Sequence, residues 1–266
     1  MKSELRHPLA FVPTMGALHA GHQSLIQIAK QKCDEVVVSV FVNPLQFENK
    51  EDLAQYPRNI DGDIAIAEST GATFVWAPTF EEVYPGDPVI IPAGKIGNLF
   101  EGVHRFGHFD GVLTVVHRLF EIIRPEYAIF GEKDFQQLFL IKQMVRELEL
   151  PVEIISAPII REDDGLAMSS RNVRLSTDDR ARATIISKAL FEARESKDPA
   201  ATLHRVLRKE KNFQIDYAEI IDANTFEVAT THTINKRAIV AGWLGGVRLI
   251  DNMAMEIAME SVGEPS

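Results

Sequence analysis

Five short apolar runs mark the first 160 residues, and helical patterns fill the gaps between them. The runs are "LAFVP" at 9–13, "VVVSVFV" at 36–42, "ATFVW" at 72–76, "YAIFG" at 127–131 and "VEIISA" at 152–157. They are nearly continuous rather than alternating, which is how strands buried on both faces read. Helical periodicity occupies 21–33, about 61–70, 111–124 and 134–149. Strand–helix alternation implies βαβ units, a parallel sheet and right-handed crossovers. The expected fold class is therefore α/β. Such sheets take ligands at the carboxyl ends of their strands, where Pro13–His22, Asn43–Phe47 and Gly131–Asp134 converge.

Beyond residue 158 the pattern changes. "STDDRARATIISKALFEA" starts a helix with Ser, Thr and then acidic residues, and "DPAATLHRVLRKE" starts another with Asp198 and Pro199. Strand-like runs follow at 215–222, 237–243 and 247–251, so a smaller α+β unit is expected there. The stretch 78–110, rich in Pro and Gly, reads as a long loop with short elements. The tail "SVGEPS" is expected to fray.

The 266 residues carry a formal net charge of -10, which argues against a general nucleic-acid or anionic-membrane binder. The single cysteine, Cys33, cannot form an internal disulfide and reads as a buried structural thiol in a reducing compartment. The N-terminus "MKSELRHPLAFVP" lacks the apolar run of a signal peptide and no stretch approaches the apolar length of a membrane span, so no membrane association and a cytoplasmic location are expected.

"FVPTMGALHAGHQSLI" at 11–26 is the point where the first strand turns into the first helix. It holds two histidines, two glycines and no acidic residue. A helix N-terminus offers unpaired N–H groups and partial positive charge. His19 and His22 add donors on the same turn, while Gly16 and Gly21 admit a bulky anion. These features together suit a polyphosphate, without a Walker lysine loop or a GxGxxG loop. Two other readings stay open on this tetrapeptide: an ordinary helix cap with incidental histidines, and a zinc site drawing on His19, His22, His104 and His108 with Glu101 nearby.

HxGH does not stand alone. "MSSR" at 168–171 supplies two hydroxyls and a guanidinium fork suited to phosphate oxygens. Together with "PTMGALHAGH", "FVNPLQF", "YPR", "HFDGVLTVV", "RPEYAIFGEKDFQQL", "REDDGLAMSSRN" and "RLIDN", it resembles the pantoate–β-alanine ligase (pantothenate synthetase) family of the HxGH nucleotidyltransferase superfamily. The resemblance runs from about residue 9 to 253. It implies a Rossmann-like parallel-sheet N-terminal domain over 1–158 and a smaller α+β C-terminal lid domain over 159–266. It also implies ATP with Mg²⁺ and a homodimer. The reaction it implies has two steps. Pantoate attacks the α-phosphate of ATP to give pantoyl adenylate and pyrophosphate, and β-alanine then displaces AMP to give pantothenate.

By this resemblance Met15, Gly16, Ala17, Leu18, His19, Ala20, Gly21 and His22 line the ATP phosphates. His22 is the family's proton donor and His19 its neighbour. Lys133 stabilises the α-phosphate transition state, Gly131 and Asp134 hold the ribose, Glu132 belongs to the ATP-binding set, and Ile160 meets adenine through its backbone. Met168, Ser169, Ser170 and Arg171 close over the phosphates. Gln46 and Gln137 hold pantoate, with Asn43 and Arg105 as second-tier candidates. A pocket walled by Pro13, Met15, Phe41 and Val42 is expected to take pantoate's dimethyl group. Tyr56 and Arg58 in "YPR" read either as part of a gate or as a structural turn. Asp63 reads as a solvated helix carboxylate in preference to a Mg²⁺ ligand.

Two features depart from the family pattern. The first strand begins near residue 9, with fewer residues ahead of it than the family usually has, and Ala20 stands where Glu is common. Competing readings are another HxGH nucleotidyltransferase acting on a small anionic acceptor, a zinc hydrolase using the four histidines, and a nucleotide-sensing module without catalysis.

Overall fold

The computed structural model describes residues 5–48, 50–54 and 56–255, so the SVGEPS tail lies outside the described residues. The chain divides into two compact units. One runs up to Ile160 and includes Met168–Ser170; the other takes in Arg161–Ala167 and the chain from Arg171 onward.

The first unit follows the order β1 (Leu9–Thr14), α1 (Ala20–Lys32), β2 (Glu35–Val40), α2 (Lys50–Ala54), α3 (Ile60–Thr70), β3 (Phe74–Trp76), α4 (Phe80–Val83), α5 (Glu101–His104), α6 (His108–Ile123), β4 (Tyr127–Gly131), α7 (Phe135–Glu147) and β5 (Glu153–Ala157). Its sheet has the order β3-β2-β1-β4-β5, and every pairing is parallel. This is the parallel sheet expected from the alternation, with the Rossmann-like character that the family resemblance implies.

Period-2 geometry splits each strand between two apolar layers. Leu9 and Phe11 of β1 face one layer with Phe120 of α6 and Ile141 of α7, whereas Ala10 and Val12 face the other with Ile26 of α1 and Ala67 of α3. Phe11 is fully buried, its ring edge-on to Phe120 at 6.4 Å. Such burial contributes about 1.5–3 kcal/mol per large side chain. The consequence for function is topological. α1 leaves β1 on one face, and α7 leaves the adjacent strand β4 on the other. A crevice therefore opens between the carboxyl ends of β1 and β4, the switch point of a doubly wound sheet.

The second unit holds α8 (Thr177–Arg182), α9 (Ile185–Arg194), α10 (Pro199–Leu207) and an antiparallel sheet of β6 (Gln214–Asp222), β7 (Lys236–Leu244) and β8 (Val247–Met255). Leu190, Leu203, Leu207 and Val240 centre its core. Arg161 meets the buried Asp251 at 2.6 Å. The segment beginning at Ser176 forms two helices rather than one. Thr184 bonds back to the Ala181 carbonyl at 2.7 Å, and β-branched Ile185 and Ile186 follow it. No helix among the described residues is long and apolar enough to cross a membrane.

Candidate active site

The turn between β1 and α1 is held from within. Its backbone enters the left-handed region twice in succession, at Gly16 (φ 86°) and Ala17 (φ 52°). The Gly16 amide donates to Thr14 Oγ1 at 3.2 Å. The next two amides donate to one carboxylate, Ala17 to Asp63 Oδ2 at 3.0 Å and Leu18 to Asp63 Oδ1 at 2.7 Å. Asp63 sits in the first turn of α3 and is only 3% exposed. It is thus not the solvated carboxylate expected from the sequence, because folding brings α3 under a turn that needs two acceptors.

His19 and His22 cap each other's turn. The Gly21 amide donates to His19 Nδ1 at 3.1 Å, and the His19 amide donates to His22 Nδ1 at 3.3 Å. Their ring centroids are 4.2 Å apart. A Cβ on residue 21 would lie 2.8 Å from His19 Cε1, so glycine there is what lets the ring fold over its own helix. The sequence suggested unpaired amides at this helix start, but the cap amide of His19 and the first-turn amide of Gly21 are taken by imidazoles, and Asp63 takes the Ala17 and Leu18 amides that lead into the helix. With each Nδ1 accepting, the ring proton of a neutral imidazole lies on Nε2. The motif therefore presents two Nε2–H donors.

Electrostatics keep those rings neutral. Burial lowers the pKa of His22 to about 3, with His19 and Lys133 adding to the shift and Asp134 opposing it. Burial and then Lys133 also lower that of His19. Lys133 and Asp134, in the 3-10 turn Glu132–Asp134 after β4, thus sit in electrostatic reach of the histidines after β1. Gly131 ends β4, and Glu132 is half-buried beside them. Met168 lies against the same place. Its Cβ is 3.9 Å from where a side chain on Gly21 would begin, and its amide donates to the Ile160 carbonyl at 3.0 Å. Ser169 and Ser170 belong to this first unit and Arg171 to the second.

A second group gathers after β2. Asn43 is 1% exposed, caps the Pro44–Gln46 turn through the Leu45 amide and donates to the Gly111 carbonyl at 3.0 Å. Gln46 directs its Nε2 to Met15 Sδ at 2.7 Å, which joins this group to the β1 turn. Phe41 is buried, and Pro13, Met15 and Val42 are partly so. Arg105 ends α5 and is half-buried, as is Gln137 on α7. Its neighbour Gln136 is buried and donates to the Ile96 and Leu99 carbonyls at 2.7 and 2.9 Å, an anchoring role that sequence reasoning missed. Tyr56 is buried with its ring 5.8 Å from Phe47, while Arg58 is exposed. Among the described residues no group of three or more His, Cys, Asp or Glu is placed to hold a metal, so the four histidines are not gathered. His104 is exposed, and His108 is buried with Nδ1 on the Gln46 carbonyl.

A doubly wound sheet with two imidazole donors, a lysine and a carboxylate at its switch point has the arrangement by which this class of α/β protein receives phosphate-bearing ligands. Comparison with known proteins agrees. The profile of the family Pantoate-beta-alanine ligase matches residues 1–254. A pantothenate synthetase from Acidothermus cellulolyticus is 46% identical, covering 97% of this chain and 88% of the relative. The crystal structure of pantothenate synthetase from Thermus thermophilus superposes with a TM-score of 0.92 at 41% identity, covering 96% of each chain. Pantoate-beta-alanine ligase from Francisella tularensis, solved with β,γ-ATP and β-alanine, gives a TM-score of 0.81 at 37% identity, covering 96% of this chain and 93% of that one. The chain belongs to the pantoate-beta-alanine ligase family.

Proposed function

We propose that this chain condenses D-pantoate with β-alanine at the expense of ATP, through pantoyl adenylate, with AMP and pyrophosphate as co-products. The observation that carries the reading is the reciprocal His19–His22 cap with Lys133 in electrostatic range. Both half-reactions need positioning and neutralisation of phosphate charge more than covalent help. In the first, a pantoate carboxylate oxygen attacks the α-phosphorus and the bond to pyrophosphate breaks. His19 and His22 donate Nε2–H bonds to the phosphates, and Lys133 offsets charge growing on the α-phosphoryl oxygens. Met15–His22 and Met168–Ser170 line the nucleotide, and Arg171 offers phosphate oxygens a bidentate fork. Gly131 and Asp134 meet the ribose with Glu132 beside them in the ATP site, and Ile160 meets adenine. In the second half-reaction the free amine of β-alanine attacks the acyl carbon, loses a proton and expels AMP.

Gln46 and Gln137 hold pantoate, since an amide can donate to a carboxylate and accept from hydroxyls. Asn43 supports the Gln46 turn, and Arg105 stands at its margin. Mg²⁺ enters with the nucleotide in this reading. Both oxygens of Asp63 are engaged by amides, and Mg²⁺ commonly binds through substrate phosphates and water. Homodimeric assembly and a cytoplasmic location complete the proposal on family likeness. The test is to incubate the protein with ATP, Mg²⁺, D-pantoate and β-alanine and to identify products by mass spectrometry. Pantothenate and AMP in equal amounts support the reading; ADP and phosphate, or no turnover by folded protein, overturn it.

A further inference from the structure

The first turn of α6 grips the Pro44–Gln46 turn at three points. His108 Nδ1 lies 2.9 Å from the Gln46 carbonyl oxygen. The Gly111 carbonyl accepts from Asn43 Nδ2 at 3.0 Å. Gly111 also lacks a side chain where one would run into the Leu45 carbonyl. A three-residue 3-10 turn has little internal bonding to fix it, so these contacts from α6 set its position.

His108 is 5% exposed. Burial, with the Arg105 charge adding to it, pushes its pKa to about 3, so the ring is neutral through the physiological range. A neutral imidazole has one N–H, and a carbonyl can only accept. The proton is therefore on Nδ1, directed at Gln46. The same residue carries the amide that reaches Met15 Sδ.

We propose that His108 is a positioning residue for the acid substrate: its Nδ1–H fixes the Gln46 carbonyl and thereby aims the Gln46 amide at the hydroxy acid. The inference rests on the assignment of Gln46 to pantoate made above. His19, His22 and Lys133 stand on other elements, so loss of the contact leaves nucleotide binding in place.

The test compares His108→Asn, His108→Gln and His108→Ala with Gln46→Ala, measuring KM for pantoate and for ATP separately in pantoate-dependent ATP–pyrophosphate exchange. An asparagine amide nitrogen falls near the position of Nδ1, and a glutamine nitrogen falls near Nε2. His108→Asn should keep the pantoate KM within about three-fold, whereas Gln and Ala should raise it about ten-fold or more with the ATP KM unchanged, the scale of one lost hydrogen bond. Should the Ala variant not fold, the Asn–Gln contrast decides. Equal behaviour of Asn and Gln, or parallel movement of both KM values, overturns the role of His108 while a raised pantoate KM in Gln46→Ala leaves Gln46 standing. An unchanged pantoate KM in Gln46→Ala overturns the assignment of Gln46 and the role of His108 with it.

Discussion

Asp63 accepts the amide of Leu18 at 2.7 Å across 45 residues of sequence, and its second oxygen takes the Ala17 amide. The HxGH turn contains no acidic residue, yet a carboxylate lies beneath it. That negative charge faces inward and is spent on two amides. It shapes the turn that carries His19 and His22.

Removing this acceptor should be costly. Asp63→Ala leaves two amides unsatisfied, each worth about 1–3 kcal/mol, so unfolding free energy should drop by about 2–6 kcal/mol. Asp63→Asn keeps one acceptor oxygen and should lose less. Urea unfolding of both variants provides the comparison, and a wild-type midpoint for the Ala variant would contradict the clamp.

Gly16→Ala tests the same turn from the other side. The left-handed backbone costs an L-residue about 1–2 kcal/mol, and the new Cβ would stand 2.7 Å from Asp63 Oδ2 and 3.0 Å from Val40 Cγ1. The variant should melt lower and show weakened ATP binding by calorimetry. Unaltered values for both would show that the turn accommodates a side chain.

Acid stability has a definite sign. An unfolded histidine titrates near 6.5, whereas His108 and His22 titrate at about 3 when folded. Between these values the unfolded chain binds more protons, so acid favours unfolding. The contribution is complete above about pH 6.5 and is lost as pH falls toward 3, with a slope of at most about 1.4 kcal/mol per pH unit for each ring. In His108→Asn the loss of unfolding free energy between pH 6 and 4 should be smaller than in wild type. A parallel decline of the two curves would mean that His108 is not neutral in the fold.

The two halves of the site should separate kinetically. Lys133→Ala should slow adenylation about a hundred-fold or more, the scale of one lost transition-state partner, while Gln137→Ala should act mainly on pantoate KM. Single-turnover formation of pantoyl adenylate reads both. Wild-type adenylation by Lys133→Ala would displace the lysine from its assigned role.

Substrate shape provides another check. If Pro13, Met15, Phe41 and Val42 wall the acid pocket as proposed, with Met15 already in contact with Gln46, hydroxy acids without a dimethyl group should be poorly activated. Equal kcat/KM for a lactate-sized acid and pantoate would remove that wall from the binding site.

What the sequence conveyed depended on range. Local periodicity located β1, β2, β4 and β5 within one or two residues at most ends, because strands buried on both faces have to be apolar along their whole length. The HxGH spacing marked the turn where His19 and His22 pair, since a capping box is a three-residue relationship. Long-range contacts left no such trace. Asp63 looked like any acidic residue in a helix's first turn, and only the packing of α3 under β1's turn gives it two donors. Gln136 and Gln137 are adjacent in sequence but point about 100° apart around α7, so their burial separates once the helix is docked. His108 offered only its type, and its partner is a backbone carbonyl 62 residues away.

ATP–pyrophosphate exchange, with Mg²⁺ present and β-alanine omitted, measures the central claim most directly. Exchange that appears only when D-pantoate is added is the expected result, because it reports reversible formation of pantoyl adenylate. Exchange at the same rate without pantoate, or none from folded protein that binds ATP, would contradict the account.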